Sequence, residues 1–265
     1  MHLPHPPPPP AKQASAHERP RRLLTQNSRL RRIGVWNWTL PALGARLPDG
    51  RTISTCPAAG ACASICYARY GAYTWPDVRA KHLANLAFVI EDPRGWEQAM
   101  LAELASRRLA EGRVRIHDAG DFFSDPYLER WISIIRARPN VFFYCYTKEV
   151  LRFQRLVEPQ RKSLPNFLWA YSLGGRQDNC LDPQVDRVAD VFPTDRAIED
   201  AGWHPQTASD LLAVLGPAPV GMVVNNHPTA KRRLGNHTLG QLQAERDRRA
   251  RDRRSQASSA DHDPS

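Results

Sequence analysis

The stretch Arg113-Val-Arg-Ile-His117, followed at once by Asp118-Ala-Gly-Asp121, decides the fold. Within it, Val114 and Ile116 alternate with charged or polar residues, a pattern typical of a β-strand. Ser124-Asp-Pro126 then supplies the cap and first turn of a helix. The sequence therefore predicts a strand, a polar loop and a helix, in that order.

The same alternation of strand and helix patterns continues on both sides of this stretch. Helical spacing of apolar residues predicts helices over 74–92, around 96–104, after 124 and over 150–157, and apolar runs predict strands over 113–117, 141–147, 166–172, 187–192 and 220–224. Alternating strands and helices are the mark of a mostly parallel sheet. We expect an α/β fold whose parallel sheet, of about six strands, forms a partial (βα) barrel.

The composition excludes some classes of protein. No apolar run approaches the roughly 18 residues of a membrane-spanning helix. The N-terminus has a proline run, Pro6 to Pro10, instead of the basic and apolar regions of a secretory signal. These features predict a cytoplasmic protein without a membrane partner.

The net charge of +10 is concentrated near the two ends of the chain. Residues 1–32 carry +6 and residues 231–265 carry +4, so the middle is formally neutral. We expect a domain over 33–240 between a disordered basic tail, 1–32, and an Arg-rich, partly disordered tail, 241–265, that begins as a solvated helix. These Arg-rich tails indicate nucleic acid as a partner, or they only keep the protein soluble.

Three of the five cysteines, Cys56, Cys62 and Cys66, fall within eleven residues. In a reducing compartment, clustered cysteines are more often metal ligands than disulfides. Three thiolates leave a fourth position, which suits a [4Fe-4S] cluster, or a zinc ion completed by Cys180 or His117. Plain buried cysteines are a third interpretation. Cys145, inside an apolar strand, is expected in the core.

Polar residues also follow the predicted strands. His117, Asp118 and Asp121 are candidate catalytic residues, because imidazole and carboxylates transfer protons or bind metal ions. Either aspartate could instead cap a turn. Parallel strands end at one edge of their sheet, so Thr147, Lys148 and Ser172 are expected near this loop.

Four stretches together resemble the phage and actinobacterial "gene product 88" domain family over roughly residues 30–240. They are Trp36-Asn-Trp-Thr-Leu-Pro41, Thr55-Cys56 through Cys66-Tyr67-Ala68, Arg115-Ile-His-Asp-Ala-Gly-Asp121-Phe-Phe-Ser124 and Phe143-Tyr-Cys-Tyr-Thr147-Lys148. In outline the chain is also similar to three-cysteine phage proteins suspected to be relatives of radical S-adenosylmethionine enzymes.

The second resemblance implies a radical S-adenosylmethionine-like fold in which the three loop cysteines bind the cluster. It implies that Gly120 and Asp121 contact the amino group of S-adenosylmethionine and that Thr147 or Ser172 reaches its ribose. The usual spacing in that superfamily is Cys-x3-Cys-x2-Cys, whereas this chain has Cys-x5-Cys-x3-Cys.

Three functions follow from these observations. The first is a phage-related iron-sulfur protein, a radical-type enzyme acting on an unknown substrate such as nucleic acid or a modified base. The second is a zinc-stapled module that binds nucleic acid without catalysis. The third is a metal-dependent nuclease that uses His117, Asp118 and Asp121.

Overall fold

The computed structural model describes residues 19–260. The strands are β1 (Val35–Trp38), β2 (Gly44–Arg46), β3 (Thr52–Ser54), β4 (Arg113–Ile116), β5 (Phe142–Thr147), β6 (Phe167–Ser172), β7 (Val188–Phe192), β8 (His204–Pro205) and β9 (Val220–Val223). The helices are α1 (Ser28–Arg32), α2 (Cys62–Ile65), α3 (Pro76–Glu91), α4 (Pro93–Leu104), α5 (Asp125–Ala137), α6 (Val150–Leu156), α7 (Asp195–Asp200), α8 (Leu212–Leu215), α9 (Pro228–Leu234) and α10 (Leu239–Ala260).

Seven strands form one sheet in the order β1-β4-β5-β6-β7-β9-β8, and every neighbouring pair in it is parallel. The remaining two, β2 and β3, form a separate antiparallel pair. The predicted α/β class with a parallel sheet is therefore confirmed. The sheet has β1 and β8 at its two edges, and the partial barrel stays a prediction.

Local sequence signals explain where the helices begin. The hydroxyl of Ser124 accepts a hydrogen bond from the Tyr127 N–H at 3.4 Å, and Pro126 lies in the first turn of α5. Asp92 caps α4 in the same way through the Gly95 N–H at 2.8 Å. The helices and strands predicted between residues 74 and 172 are thus present, with boundaries shifted by a few residues.

The larger part of the core lies between the sheet and helices α3 to α6. The side chains of Val114 and Ile116 are buried there, as is Cys145, which confirms the prediction that this cysteine is a core residue. Arg115, between the two apolar residues, points to the opposite face of the sheet, because side chains alternate along a strand. That opposite face carries the polar site described below.

The N-terminal segment differs from its prediction as a disordered tail. Leu23, Leu24 and Leu30 are buried, and Thr25 exchanges two backbone hydrogen bonds with Asn37 of β1, at 2.7 and 2.9 Å. The three leucines bury enough apolar surface to hold residues 23–30 against the sheet, although arginines surround them in the sequence. The predicted tail residues 1–18 lie outside the described part of the chain.

The C-terminal segment begins as a helix, as the sequence predicts, but the start of that helix packs against the domain. Helix α10 begins at Leu239, before the predicted boundary at 240, and the side chains of Leu239 and Gln243 are buried. The first turns of α10 therefore belong to the domain. Residues 261–265 of the predicted tail lie outside the described range. Within residues 19–260, the helices are too short or too polar to cross a membrane.

Candidate functional site

A cavity of about 460 Å³ lies at the carboxyl ends of β4, β5 and β6. All nine residues that the sequence predicts for the site line this cavity: Cys56, Cys62, Cys66, His117, Asp118, Gly120, Asp121, Thr147 and Ser172. The volume is within the usual range for small-molecule sites. The structure thus brings the cysteine loop and the strand ends to one place, while the role of each residue stays a prediction.

Backbone groups of the cysteine loop are held from three sides. Glu149, after β5, accepts a hydrogen bond from the Ala58 N–H at 2.9 Å, and Gln243 of α10 accepts one from the Ala61 N–H at 2.7 Å. The Cys62 N–H donates to the Gly174 carbonyl at 3.1 Å. A side chain on Gly60 would collide with Gln243, since an added Cβ would lie 2.0 Å from its Oε1 atom. The path of the loop is therefore fixed by the domain around it.

Two thiols of this loop, those of Cys56 and Cys66, are not activated by the protein alone. Burial, together with the charge of Asp121, raises the pKa of Cys56 to about 12, and burial also raises the pKa of Cys66. A metal that binds these sulfurs must therefore displace protons. Cys180 does not line the cavity. Among the described residues, no three His, Cys, Asp or Glu side chains are placed to share one metal ion.

Asp121 joins three segments around the cavity. Its Oδ1 accepts hydrogen bonds from the Thr147 hydroxyl at 2.7 Å and the Phe122 N–H at 2.8 Å, and its Oδ2 accepts one from the Lys148 N–H at 2.9 Å. Its own N–H donates to the Thr55 carbonyl, next to Cys56, at 2.7 Å. Burial raises the pKa of this carboxyl, while its hydrogen bonds oppose the rise.

Lys148 fixes the next strand end. Its Nζ donates to the Ser172 hydroxyl at 2.7 Å and to the carbonyls of Ser172 and Leu173, both at 2.8 Å. The Ser172 hydroxyl keeps its own proton for a further hydrogen bond. The Thr147 hydroxyl, in contrast, is already used on both sides, since it donates to Asp121 and accepts from the Glu149 N–H at 3.0 Å.

His117 lies in a different environment from the two aspartates. The Trp38 indole N–H donates to the Tyr127 hydroxyl at 2.7 Å, and that hydroxyl lies 2.9 Å from Nε2 of His117. The imidazole packs edge-on against Phe122. Burial lowers the pKa of His117 to about 3, so the ring is neutral at pH 7. This ring belongs to the aromatic core, and it does not join the two carboxylates in a cluster.

Asp118 belongs to a buried ionic network. Its Oδ1 lies 3.5 Å from Nη1 of Arg115, and that same nitrogen lies 3.3 Å from Oδ2 of Asp210. Tyr73 donates to the Asp118 carboxylate. The Asp210 carboxylate accepts from Tyr144 at 2.5 Å. The network places one guanidinium between two carboxylates on the cavity side of the sheet.

Gly120 is required by packing as well as by the cavity. Its φ is +83°, and an added Cβ would lie 2.7 Å from the Cβ of Leu40. A side chain here would be strained and would collide with the core. The backbone conformation and the contact with Leu40 therefore already explain why residue 120 is a glycine. The predicted contact with a cofactor would be a second reason.

Several lining residues were missed by sequence reasoning: Tyr67, Tyr73, Gln206 and Asp210. Lys148, which the strand-end rule selects together with Thr147, also lines the cavity. Gln206 and Asp210 follow the two-residue strand β8, which has no recognisable pattern in the sequence.

Glu149 gives a prediction about pH. Burial and the negative charge of Asp121 raise the pKa of Glu149 to about 7. Because this value exceeds the ordinary one of 4.5, the carboxyl stabilises the fold fully below its unfolded pKa, and that contribution is lost as the pH rises through 7. Glu149→Gln keeps an acceptor for the Ala58 N–H without the charge. We expect its stability relative to the natural protein to rise by about 2 to 3 kcal/mol between about pH 5 and pH 8.

Urea unfolding at several pH values measures this difference. Glu91→Gln is the matched control, because the Glu91 side chain is exposed at the end of α3. The difference in the free energy of unfolding between Glu91→Gln and the natural protein is expected to stay constant with pH. A difference for Glu149→Gln that also does not change with pH contradicts the raised pKa of Glu149.

Comparison with known proteins identifies relatives among phage proteins. The family model described as Gene product 88 matches residues 13–257. The chain is 31% identical to the Gene 88 protein of Mycobacterium phage L5 over 116 residues, which cover 38% of this chain and 46% of that protein. It is 29% identical to the Gene 88 protein of Mycobacterium phage D29 over 109 residues, 38% of this chain and 45% of that protein. The matched segments thus span less than half the length of these relatives. No solved structure matches the chain.

Proposed function

We propose that this chain, which belongs to the Gene product 88 family as its motifs predict, is an iron-sulfur protein. The reason is that three cysteines of one loop line a single cavity. Cys56, Cys62 and Cys66 would bind a [4Fe-4S] cluster. The shared cavity is the observation that carries this proposal. It does not require three sulfurs within reach of one ion, since thiolates of a cluster bind different iron atoms.

When bound, such a cluster supplies one-electron chemistry and an iron to which a small molecule can bind. The residues of the chain do the rest. Glu149 and Gln243 hold the cysteine loop by its backbone N–H groups. Asp121 and Lys148 hold the ends of β5 and β6 against the same loop. This support orients the three thiols before any cofactor is present.

We further propose S-adenosylmethionine as the small molecule, following the resemblance to radical S-adenosylmethionine enzymes. Two observations support it. The Asp121 carboxylate uses three of about four acceptor sites, which leaves one for an amino group. The Ser172 hydroxyl retains a proton to donate to a ribose oxygen. Thr147, with both hydrogen-bonding directions occupied, orients Asp121 in this account.

The electron paramagnetic resonance spectrum of anaerobically reconstituted, reduced protein tests both parts. We expect a signal from a reduced cluster, and a change in its g values when S-adenosylmethionine is added. S-adenosylhomocysteine, which lacks the sulfonium methyl group, serves as the comparison ligand. A colourless protein without a signal contradicts the cluster, and a signal that S-adenosylmethionine leaves unchanged contradicts the second proposal.

The other predictions have tests of their own. A tightly bound zinc ion, found by metal analysis in place of iron, would indicate the stapled module, and cleavage of nucleic acid with a divalent cation alone would indicate the nuclease. A reducing cytoplasm, in which the three thiols stay free, is part of the proposal.

A further inference from the structure

Two Arg-rich segments border the cavity. Residues 19–32 contain six arginines and no acidic residue, and residues 231–260 contain nine Lys or Arg against three acidic residues. The first segment contributes Asn27, Arg29 and Leu30 to the lining of the cavity, and the second contributes Leu239. Part of the positive charge that the sequence assigns to detached tails therefore lies beside the site, on Arg29 in the lining and on Arg233, which donates to the Ser64 carbonyl of the cysteine loop at 2.6 Å. Arg19, in contrast, pairs with Asp92 at the start of α4.

The basic side chains of these segments face solvent. Arg29, Arg31 and Arg32 of α1 are exposed, and so are Lys231, Arg232 and Arg233 of α9. Helix α9 begins three residues after Asn225, which lines the cavity. Positive groups beside a cavity attract a polyanion to that cavity.

Aromatic and amide groups line the same cavity. Tyr67 lines the cavity and is 36% exposed, so its ring is available for stacking on a base. Gln206 also lines the cavity and is only 8% exposed, and its Oε1 has no hydrogen-bond partner among the described residues. A buried acceptor without a partner favours a ligand that brings an N–H group, as the edge of a base does.

We propose that single-stranded nucleic acid binds across this opening, with its phosphates on α1 and α9 and one base inside the cavity. The inference deepens the proposed function, because it names the substrate class of the same site, and the reaction on the base rests on that proposal. Binding itself needs no cofactor. The experiment therefore uses the purified full chain both before and after reconstitution, so that failure of the cluster and failure of this inference are seen separately.

Fluorescence anisotropy with a labelled single-stranded DNA of about twenty nucleotides measures the binding. The test variant carries Arg29→Glu, Lys231→Glu and Arg232→Glu. We expect its affinity to fall at least about tenfold, and the slope of log affinity against log salt to decrease by about two. The physical reason is the loss of phosphate contacts and of the counterions that they release.

The matched control carries Arg94→Glu, Arg107→Glu and Lys162→Glu. These residues are exposed on or next to α4 and after α6, across the sheet from the cavity, and the change in net charge is the same. We expect its affinity to change less than about threefold. Equal losses in the two variants, or no binding by the natural chain, would overturn the inference.

An abasic oligonucleotide of the same length tests the insertion of a base. The natural chain is expected to bind the base-bearing strand several-fold more tightly than the abasic one, and Gln206→Leu should reduce this preference. Equal affinity of the natural chain for both strands would overturn the placement of a base in the cavity. So would a preference that Gln206→Leu leaves unchanged.

Discussion

Replacing Cys62 with alanine is expected to reduce the iron bound after anaerobic reconstitution from about four atoms per chain to less than about one. The brown absorption should disappear with it. Two remaining thiols do not hold the cluster, and the protein offers no other cysteine at the cavity, since Cys145 is buried in the core and Cys180 lies outside the lining. Visible absorption and iron analysis measure the effect.

The fold should survive this change. Cys62 is half-buried at the edge of a small apolar cluster formed with α9 and α10, and alanine suits the first position of α2. We expect a loss of less than about 1 kcal/mol in the metal-free protein. Cys180→Ala, the same substitution at another half-buried cysteine, is the control and should keep the iron. Full iron in Cys62→Ala would show that the loop does not bind the cluster.

Replacing Asp121 with alanine is expected to destabilise the metal-free protein by about 3 kcal/mol. The change leaves three donors without their acceptor: the Thr147 hydroxyl and the N–H groups of Phe122 and Lys148. The Asp121 carboxylate is buried, so after its removal water can hardly reach these three donors to accept their hydrogen bonds. Urea unfolding measures the loss.

Asp49→Ala is the matched control, because Asp49 lies in an exposed turn and pairs only locally with Arg51. Its effect on the free energy of unfolding should be much smaller than that of Asp121→Ala. The loss of stability caused by Asp121→Asn should lie between those of Asp121→Ala and Asp49→Ala. The amide oxygen replaces one carboxylate oxygen, while the NH2 group faces another donor. If Asp121→Ala unfolds like the natural protein, the carboxylate does not join the segments around the cavity.

Much of the fold can be predicted because its signals are local. The alternation around Val114 and Ile116 and the cap at Ser124 specify β4 and α5 without any knowledge of the rest of the chain. Grouping the predicted site residues follows from one rule, that parallel strands end at one edge of a sheet. That rule placed Asp121, Thr147 and Ser172 together before any contact was known.

The parts that the sequence did not predict depend on distant contacts. Leu23 and Leu30 belong to the domain only because β1 and its neighbours provide a surface for them. Gln243, within an Arg-rich stretch, is buried because Gly60 leaves room for it. A histidine at a strand end suggests catalysis, and His117 lines the cavity, so that role stays a prediction. What the sequence does not indicate is the second contact of the ring, since its positive φ of 67° and the Tyr127 hydroxyl also set it against aromatic residues of the core.

The most direct test of the central claim is an analysis of iron, acid-labile sulfide and zinc in the full chain, purified and reconstituted without oxygen. We expect about four irons and four sulfides per chain with little zinc. One equivalent of zinc without sulfide, or no bound metal after reconstitution, would contradict it.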